Sequence, residues 1–170
     1  MEEKMTPFVT HVALYCEDIE KTIDWYKKVF LMKTVASAPG KFAALSLGEK
    51  HHDLALVQKP EGFGPPEVRR AGLYHFAIDT GSFDNSMRIY GRALKEMTHA
   101  EKAIDHRVGT GIYVRDPDLN LVELWSEAYP SYAKAIASIP EMDPPFSENP
   151  IGWPLDISEV YEKWLSENVD

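Results

Sequence analysis

The sequence predicts an α+β fold made of two tandem copies of one small unit, followed by a C-terminal arm. Three observations carry this expectation. Two segments align on a histidine, each reading His, any residue, Ala, then Leu or Ile: HVAL from His11 and HFAI from His75. Apolar residues then recur at equal offsets. Ile19, Ile23, Tyr26 and Phe30 fall 8, 12, 15 and 19 residues after His11, and Phe83, Met87, Tyr90 and Leu94 fall at the same distances after His75. Between the copies lies Lys59-Pro60-Glu61-Gly62-Phe63-Gly64-Pro65-Pro66, a linker by composition.

Each element follows from its pattern. Around the histidines, polar and apolar residues alternate as in a half-buried strand. Val12 and Leu14 share one face of the first strand, as Phe76 and Ile78 do in its counterpart. The opposite faces carry His11 with Ala13, and His75 with Ala77. A small residue beside a histidine leaves room for a ligand. The apolar offsets then trace one side of an α-helix, and Asp18 and Ser82 stand where N-caps belong. Shorter strands follow. Residues 42–47 and 53–57 read as a hairpin turned by Gly48-Glu49-Lys50, and residues 111–115 and 119–125 as another turned by Asp116-Pro117-Asp118. The modules span 8–58 and 72–126, joined by a linker at 59–71, and make one domain over 8–126. The arm, 127–170, is proline-rich and ends in a helix at about residues 157–168. Its apolar residues, Trp153 and Trp164 among them, must find cover on the body or on a second subunit.

Composition narrows the function. The chain has 170 residues, 44% hydrophobic and 26% charged, enough for a packed core and unlike a disordered chain. A net charge of −9 argues against a nucleic-acid groove and gives no attraction to an anionic membrane. No apolar run approaches the roughly 20 residues of a membrane span. Met1-Glu2-Glu3-Lys4 lacks the apolar stretch of a signal peptide, so a cytoplasmic location is expected. Cys16 is the single cysteine, which excludes an intrachain disulfide and a cysteine-rich zinc site. The six histidines are left to carry metal or acid–base chemistry.

A quasi-two-fold repeat would turn His11 and His75 toward the same concave space. In the last strand Leu121, Glu123 and Trp125 share one face, with Val122 and Leu124 on the other. A glutamate in an otherwise apolar strand is not buried without a partner. Two histidines and one carboxylate make the facial triad that holds iron(II) and leaves about three of six octahedral positions open. His11, His75 and Glu123 are therefore the expected metal ligands.

The repeated strand–helix–three-strand unit, the two histidines and the run GIYVRDPDLNLVELW resemble the vicinal oxygen chelate superfamily. That superfamily includes glyoxalase I, fosfomycin- and bleomycin-resistance proteins, epimerases and type I extradiol dioxygenases. The resemblance covers about residues 8–126. It implies two βαβββ modules forming a curved mixed sheet around a metal site. Within the superfamily the chain looks most like the catechol 2,3-dioxygenase-like enzymes, on three features. His52, in His51-His52-Asp53, matches an acid–base histidine; Tyr113 matches a tyrosine that hydrogen-bonds the substrate oxygens; Ile104-Asp105-His106 resembles an Asp-His segment, which makes His106 a supporting residue. Glyoxalase I would supply a further glutamate where this chain has Ala55. Strict alternation puts His52 opposite Ala55, so a bulge or an irregular strand start must bring it to the metal; otherwise His51 takes its place. Two departures stand out: there is one double module rather than two, and Asp118-Leu119-Asn120 replaces the family's Asp-Gly-Asn.

The resemblance thus implies an extradiol ring-cleavage dioxygenase that uses iron(II), with manganese(II) or another divalent metal as the alternative. Its partners would be a catechol-type substrate and O2, and it would assemble as a homo-oligomer. The rival readings are a lyase, isomerase or epimerase of the same superfamily, or a non-catalytic small-molecule-binding or resistance protein.

Overall fold

The computed structural model describes residues 8–65 and 71–168. These fall into two compact units, one on each side of the undescribed stretch.

The first unit runs β1 (Val12–Cys16), α1 (Ile19–Phe30), β2 (Lys33–Ala38), β3 (Phe42–Ser46), β4 (Leu54–Gln58). Its sheet has the order β1-β4-β3-β2, with β1 and β4 parallel and the remaining pairs antiparallel. Parallel pairing requires a long crossover, and the α1 hairpin segment supplies it. The Asp18 side chain caps α1 by accepting from the Lys21 amide at 3.2 Å. One sheet face, carrying Leu14, Cys16, Leu54, Leu56, Ala43 and Leu45, is buried, and α1 packs on β3 and β4. The buried side of α1 is broader than the expected stripe: Thr22, Trp25 and Val29 join Ile19, Tyr26 and Phe30, while Ile23 is only half-buried.

The second unit repeats this plan: β5 (Phe76–Asp79), α2 (Phe83–Lys95), β6 (Ala100–Asp105), β7 (Gly109–Arg115), β8 (Leu121–Glu127). The order is β5-β8-β7-β6, with β5 and β8 parallel, and a later strand, β9 (Trp153–Leu155), adds beside β6. Ser82 caps α2, its hydroxyl accepting from the Asn85 amide at 3.2 Å. Met87, Tyr90 and Ala93 are buried on α2, which packs on β7 and β8; Phe83, expected in that stripe, is exposed at the first turn.

The two sheets match strand for strand. Ala13 pairs with Ala55 as Ala77 pairs with Glu123. Ala44 stands opposite Ala55 as Tyr113 stands opposite Glu123. Even the irregularities correspond: β2 has a bulge between Thr34 and Ala36, and β6 one between Ala100 and Lys102. Each bulge returns the next residue to the face it would otherwise leave, so Ala36 pairs with Ala44 and Lys102 with Tyr113. Where the second unit carries Glu123, Tyr113 and Lys102, the first carries three alanines. At these three register positions the polar side chains belong to the second unit alone.

Beyond β8 the chain forms α3 (Tyr132–Ser138), a 3-10 turn (Ile139–Glu141), β9 (Trp153–Leu155) and α4 (Ile157–Asn168). Alongside the expected late helix, the segment thus holds a second helix and a strand that pairs antiparallel with β6. The arm finds partial cover within its own unit, while Tyr132, Ile136, Phe146, Ile151 and Trp153 stay exposed. Arg107 donates to the carbonyls of Pro144 and Asn149, and its guanidinium lies over the Trp153 ring. On α4, Tyr161 stacks on Trp164 and meets the Tyr90 ring edge-on. The Trp164 indole N–H donates to Asp84 at 2.8 Å.

That last bond makes the docking acid-sensitive. The Trp164 indole first, and then Arg88, hold the Asp84 carboxyl below the ordinary aspartate value. A depressed carboxylate contributes its stability above the unfolded-state value, about 3.9, and loses it as pH falls through the lower folded value. The melting-temperature gap between wild type and Asp84→Ala should accordingly be full at pH 7, begin to shrink at about 3.9 and close as the pH falls further through the lower folded value. A gap that persists at pH 2 would contradict this.

The turn before β8 rests on Asp116. Its Oδ1 accepts from the amides of Asp118 at 2.9 Å and Asn120 at 2.8 Å. Leu119, at φ 65°, adopts the left-handed conformation that the family's glycine would take freely. The shape is kept and the strain is carried by the leucine, at about 1–2 kcal/mol. Leu119→Gly should stabilise the protein by about 1 kcal/mol after the extra unfolded-chain entropy is subtracted. Thermal melts should show a rise of roughly 2–4 °C.

Candidate metal centre

Within the second unit, β6, β7 and β8 carry Lys102, Gly111, Tyr113, Glu123 and Trp125 on the face away from α2, and His75 directly precedes β5. Glu123 is 4% exposed. Its Oε2 lies 3.0 Å from His75 Nε2, and its Oε1 lies 3.7 Å from His106 Nε2. His106 Nε2 is also 2.9 Å from the Tyr113 hydroxyl. The Tyr113 ring meets the His75 ring edge-on at 5.3 Å, and His106 packs against Trp125 at 5.7 Å.

Gly111 leaves space for the carboxylate: a Cβ there would lie 2.2 Å from Glu123 Oε1. Burial, and then the hydrogen bond and negative charge of Glu123, push the Tyr113 phenol far above its ordinary value. The phenol therefore stays protonated and can donate. Its hydroxyl stands 2.9 Å from His106 Nε2, in a bond whose direction follows the imidazole tautomer.

The first unit holds His11, His51 and His52. His11 directly precedes β1 and is exposed. His52 lies before β4, in the irregular stretch ahead of the ladder rather than inside it. There its ring sits 4.4 Å from that of His11, so alternation within β4 does not govern where it points. His51 also packs on it, ring to ring at 4.3 Å, with Nδ1 atoms 2.5 Å apart. Lost hydration, then the charges of His51 and His11, lower the His52 pKa against the opposing pull of Asp53. A histidine lowered below about 6.5 is neutral at pH 7 and can accept a proton.

Of the predicted ligands, the structure brings His75 and Glu123 together. Among the described residues no group of three His, Cys, Asp or Glu side chains is gathered closely enough to hold a metal ion. The chemistry of the pair nevertheless suits one. Two donors each about 2.1 Å from an octahedral ion, at right angles, stand about 3.0 Å apart. Glu123 Oε1 is buried without a hydrogen-bond partner, as is His75 Nδ1. A buried carboxylate oxygen left unsatisfied costs about 1–3 kcal/mol or more, and a divalent cation would relieve that cost. Lys102, Tyr74, Gly111 and Trp125 are parts of this face that sequence reasoning did not assign to the site.

Residues 9–124 match the family model described as the glyoxalase/bleomycin resistance protein/dioxygenase superfamily. The chain belongs to that superfamily. It is 29% identical over 153 residues to a biphenyl-2,3-diol 1,2-dioxygenase (number 2) of Rhodococcus globerulus, covering 89% of this chain and 78% of the relative. A second enzyme of that name (number 3) from the same organism is 31% identical over 122 residues, covering 71% of this chain and 63% of the relative. Among solved structures, a glyoxylase/bleomycin resistance protein/dioxygenase domain from Frankia sp. EAN1pec superposes with a TM-score of 0.63 at 20% identity, covering 72% of this chain and 99% of that one. The fosfomycin resistance protein FosX of Listeria monocytogenes superposes at 0.57 and 16% identity, covering 73% and 96%. These structural likenesses establish the fold. No helix among the described residues is long and apolar enough to cross a membrane.

Proposed function

We propose that the chain is a metal-dependent extradiol dioxygenase that opens a catechol-type ring with molecular oxygen. The observation that carries this reading is the buried Glu123 beside His75, with Tyr113 and His106 hydrogen-bonded next to it. The kinship with enzymes named for biphenyl-2,3-diol cleavage supports the same choice.

In this reading His11, His75 and Glu123 hold the metal, through two neutral imidazoles and one carboxylate. When bound, iron(II), or manganese(II) in its place, supplies the charge that lowers the catechol hydroxyl pKa and the redox capacity for ring opening. Tyr113, kept protonated, donates its O–H to a substrate oxygen and so fixes the ring's orientation. His106, hydrogen-bonded to that phenol, steadies its position. His52, neutral at pH 7, takes up a proton as the substrate is oxidised and returns it when the ring opens. Residues 8–126 form the functional domain with 127–170 as an appended arm, and the protein acts as a cytoplasmic homo-oligomer.

The lyase or isomerase alternative would call for a fourth protein ligand from the first module. The register puts Ala55 at that point, and an alanine cannot ligate. Oxygen consumption by iron(II)-reconstituted protein with simple and substituted catechols tests the proposal. Uptake with a yellow ring-opened product is expected, and its absence across the series would sink the dioxygenase reading.

A further inference from the structure

The second module carries one cation whose position neither fold nor metal binding explains. Lys102 is half-buried on β6, and the β6 bulge turns it onto the Tyr113 face. Its ammonium lies 4.5 Å from the centre of the Tyr113 ring and 5.0 Å from that of Tyr74, and donates to the Tyr74 hydroxyl at 2.5 Å. No salt bridge to a carboxylate is found for it among the described residues. An ammonium has three N–H donors, and the tyrosine uses one. Two remain, on a charge held by aromatic faces. Such a placement is unusual for a chain of net charge −9, where an acidic partner for a lysine is easily found.

The repeat sharpens the point. The equivalent position in the first module is Ala36, just as Ala44 and Ala55 replace Tyr113 and Glu123. Lys102 thus belongs to the same set of polar additions as the candidate catalytic residues. Tyr113 lies between: its hydroxyl points to His106, and its ring face carries the lysine. A ring whose oxygens are held at the Tyr113 hydroxyl therefore has for a neighbour the cation that lies 4.5 Å from the centre of the same tyrosine ring. The geometry points to Lys102, framed by Tyr74 and Tyr113, as an anion subsite that selects aromatic substrates bearing a carboxylate substituent. This inference rests on the dioxygenase reading only for the identity of the ring, not for the charge preference.

The test compares matched probes: 2,3- and 3,4-dihydroxybenzoate against their neutral carboxamides. Two readouts are used, dissociation constants from tryptophan fluorescence and kcat/KM from oxygen uptake. Wild type should favour at least one carboxylate over its carboxamide by about tenfold or more, the worth of a charge-assisted hydrogen bond. In both Lys102→Met and Lys102→Gln the ratio should fall to about one, and Lys102→Arg should retain most of it. Agreement of the two neutral variants, with melting curves like wild type, separates charge from folding. Equal binding of acid and amide by wild type, or a preference surviving in both neutral variants, overturns the subsite. A carboxylate preference in binding without oxygen uptake would instead retire the dioxygenase reading and leave the subsite standing.

Discussion

Gly111→Ala is expected to cut metal affinity about 10- to 100-fold, although residue 111 offers no ligand. The expected range is that of changes to groups that orient a ligand. The new Cβ would stand 2.2 Å from Glu123 Oε1 and 3.1 Å from both Glu123 Cδ and the Tyr113 ring edge. Real contacts do not reach that distance, so the carboxylate must turn. Its 4% exposure leaves little free volume for the move. Overpacking of this kind costs about 1–3 kcal/mol. Opposing it is the gain of about 0.5–1 kcal/mol from removing a glycine inside a strand. A double-mutant cycle separates the two. In the Glu123→Ala background the carboxylate clash is gone, and Gly111→Ala should become neutral or mildly stabilising. Calorimetric titration with manganese(II) and thermal melts of the four proteins provide the measurement. A destabilisation of equal size in both backgrounds would show that Gly111 does not act through Glu123.

That glycine also illustrates what the sequence reveals and what it conceals. The modules were legible because their inner strands and helices each bury one face, so period-two and helical spacings stand out around His11 and His75. Glu123 was legible as a carboxylate in an apolar strand, and the Ala55 pairing followed from the repeat. β2 (Lys33–Ala38) gave no such signal because it is exposed along its whole length and buries neither face. β9 has three residues, one of them a proline, and takes its ladder from β6 rather than from its own propensity. The bulges are the deeper reason that Lys102 was missed. Simple alternation puts residues 100 and 102 on one face, whereas Ala100 pairs with Val114 and Lys102 with Tyr113, on opposite ones. A one-residue irregularity reverses every inference about which side chains share a face. His52 escaped alternation differently, by lying ahead of the strand altogether. The role of Gly111 depends on a carboxylate 12 positions away in sequence, which local turn chemistry does not encode.

Glu123→Gln should raise the stability of the metal-free protein and abolish the stabilisation that metal confers. The wild-type carboxylate is buried, with Oε1 unpartnered and one imidazole 3.0 Å from Oε2. Neutralising it removes a desolvation penalty of about 1–3 kcal/mol. Roughly 2–4 °C per kcal/mol then predicts a higher melting temperature in chelator. With manganese(II) at about 100 times the wild-type dissociation constant, wild type should gain about 2.7 kcal/mol, and the variant essentially nothing. His75→Ala should also lose the metal response, but with the opposite effect on the metal-free protein. Removing the imidazole takes away the partner at Oε2 and leaves the buried carboxylate worse off, so this variant should melt below wild type. Two changes that erase the same binding event while moving stability in opposite directions are hard to explain by damage to the fold. The expectation follows from one physical statement: Glu123 is kept in a place where, without a cation, it weakens the protein. A Glu123→Gln protein that melts lower than wild type in chelator, or gains as much from manganese(II), would remove the basis for calling this face a metal centre.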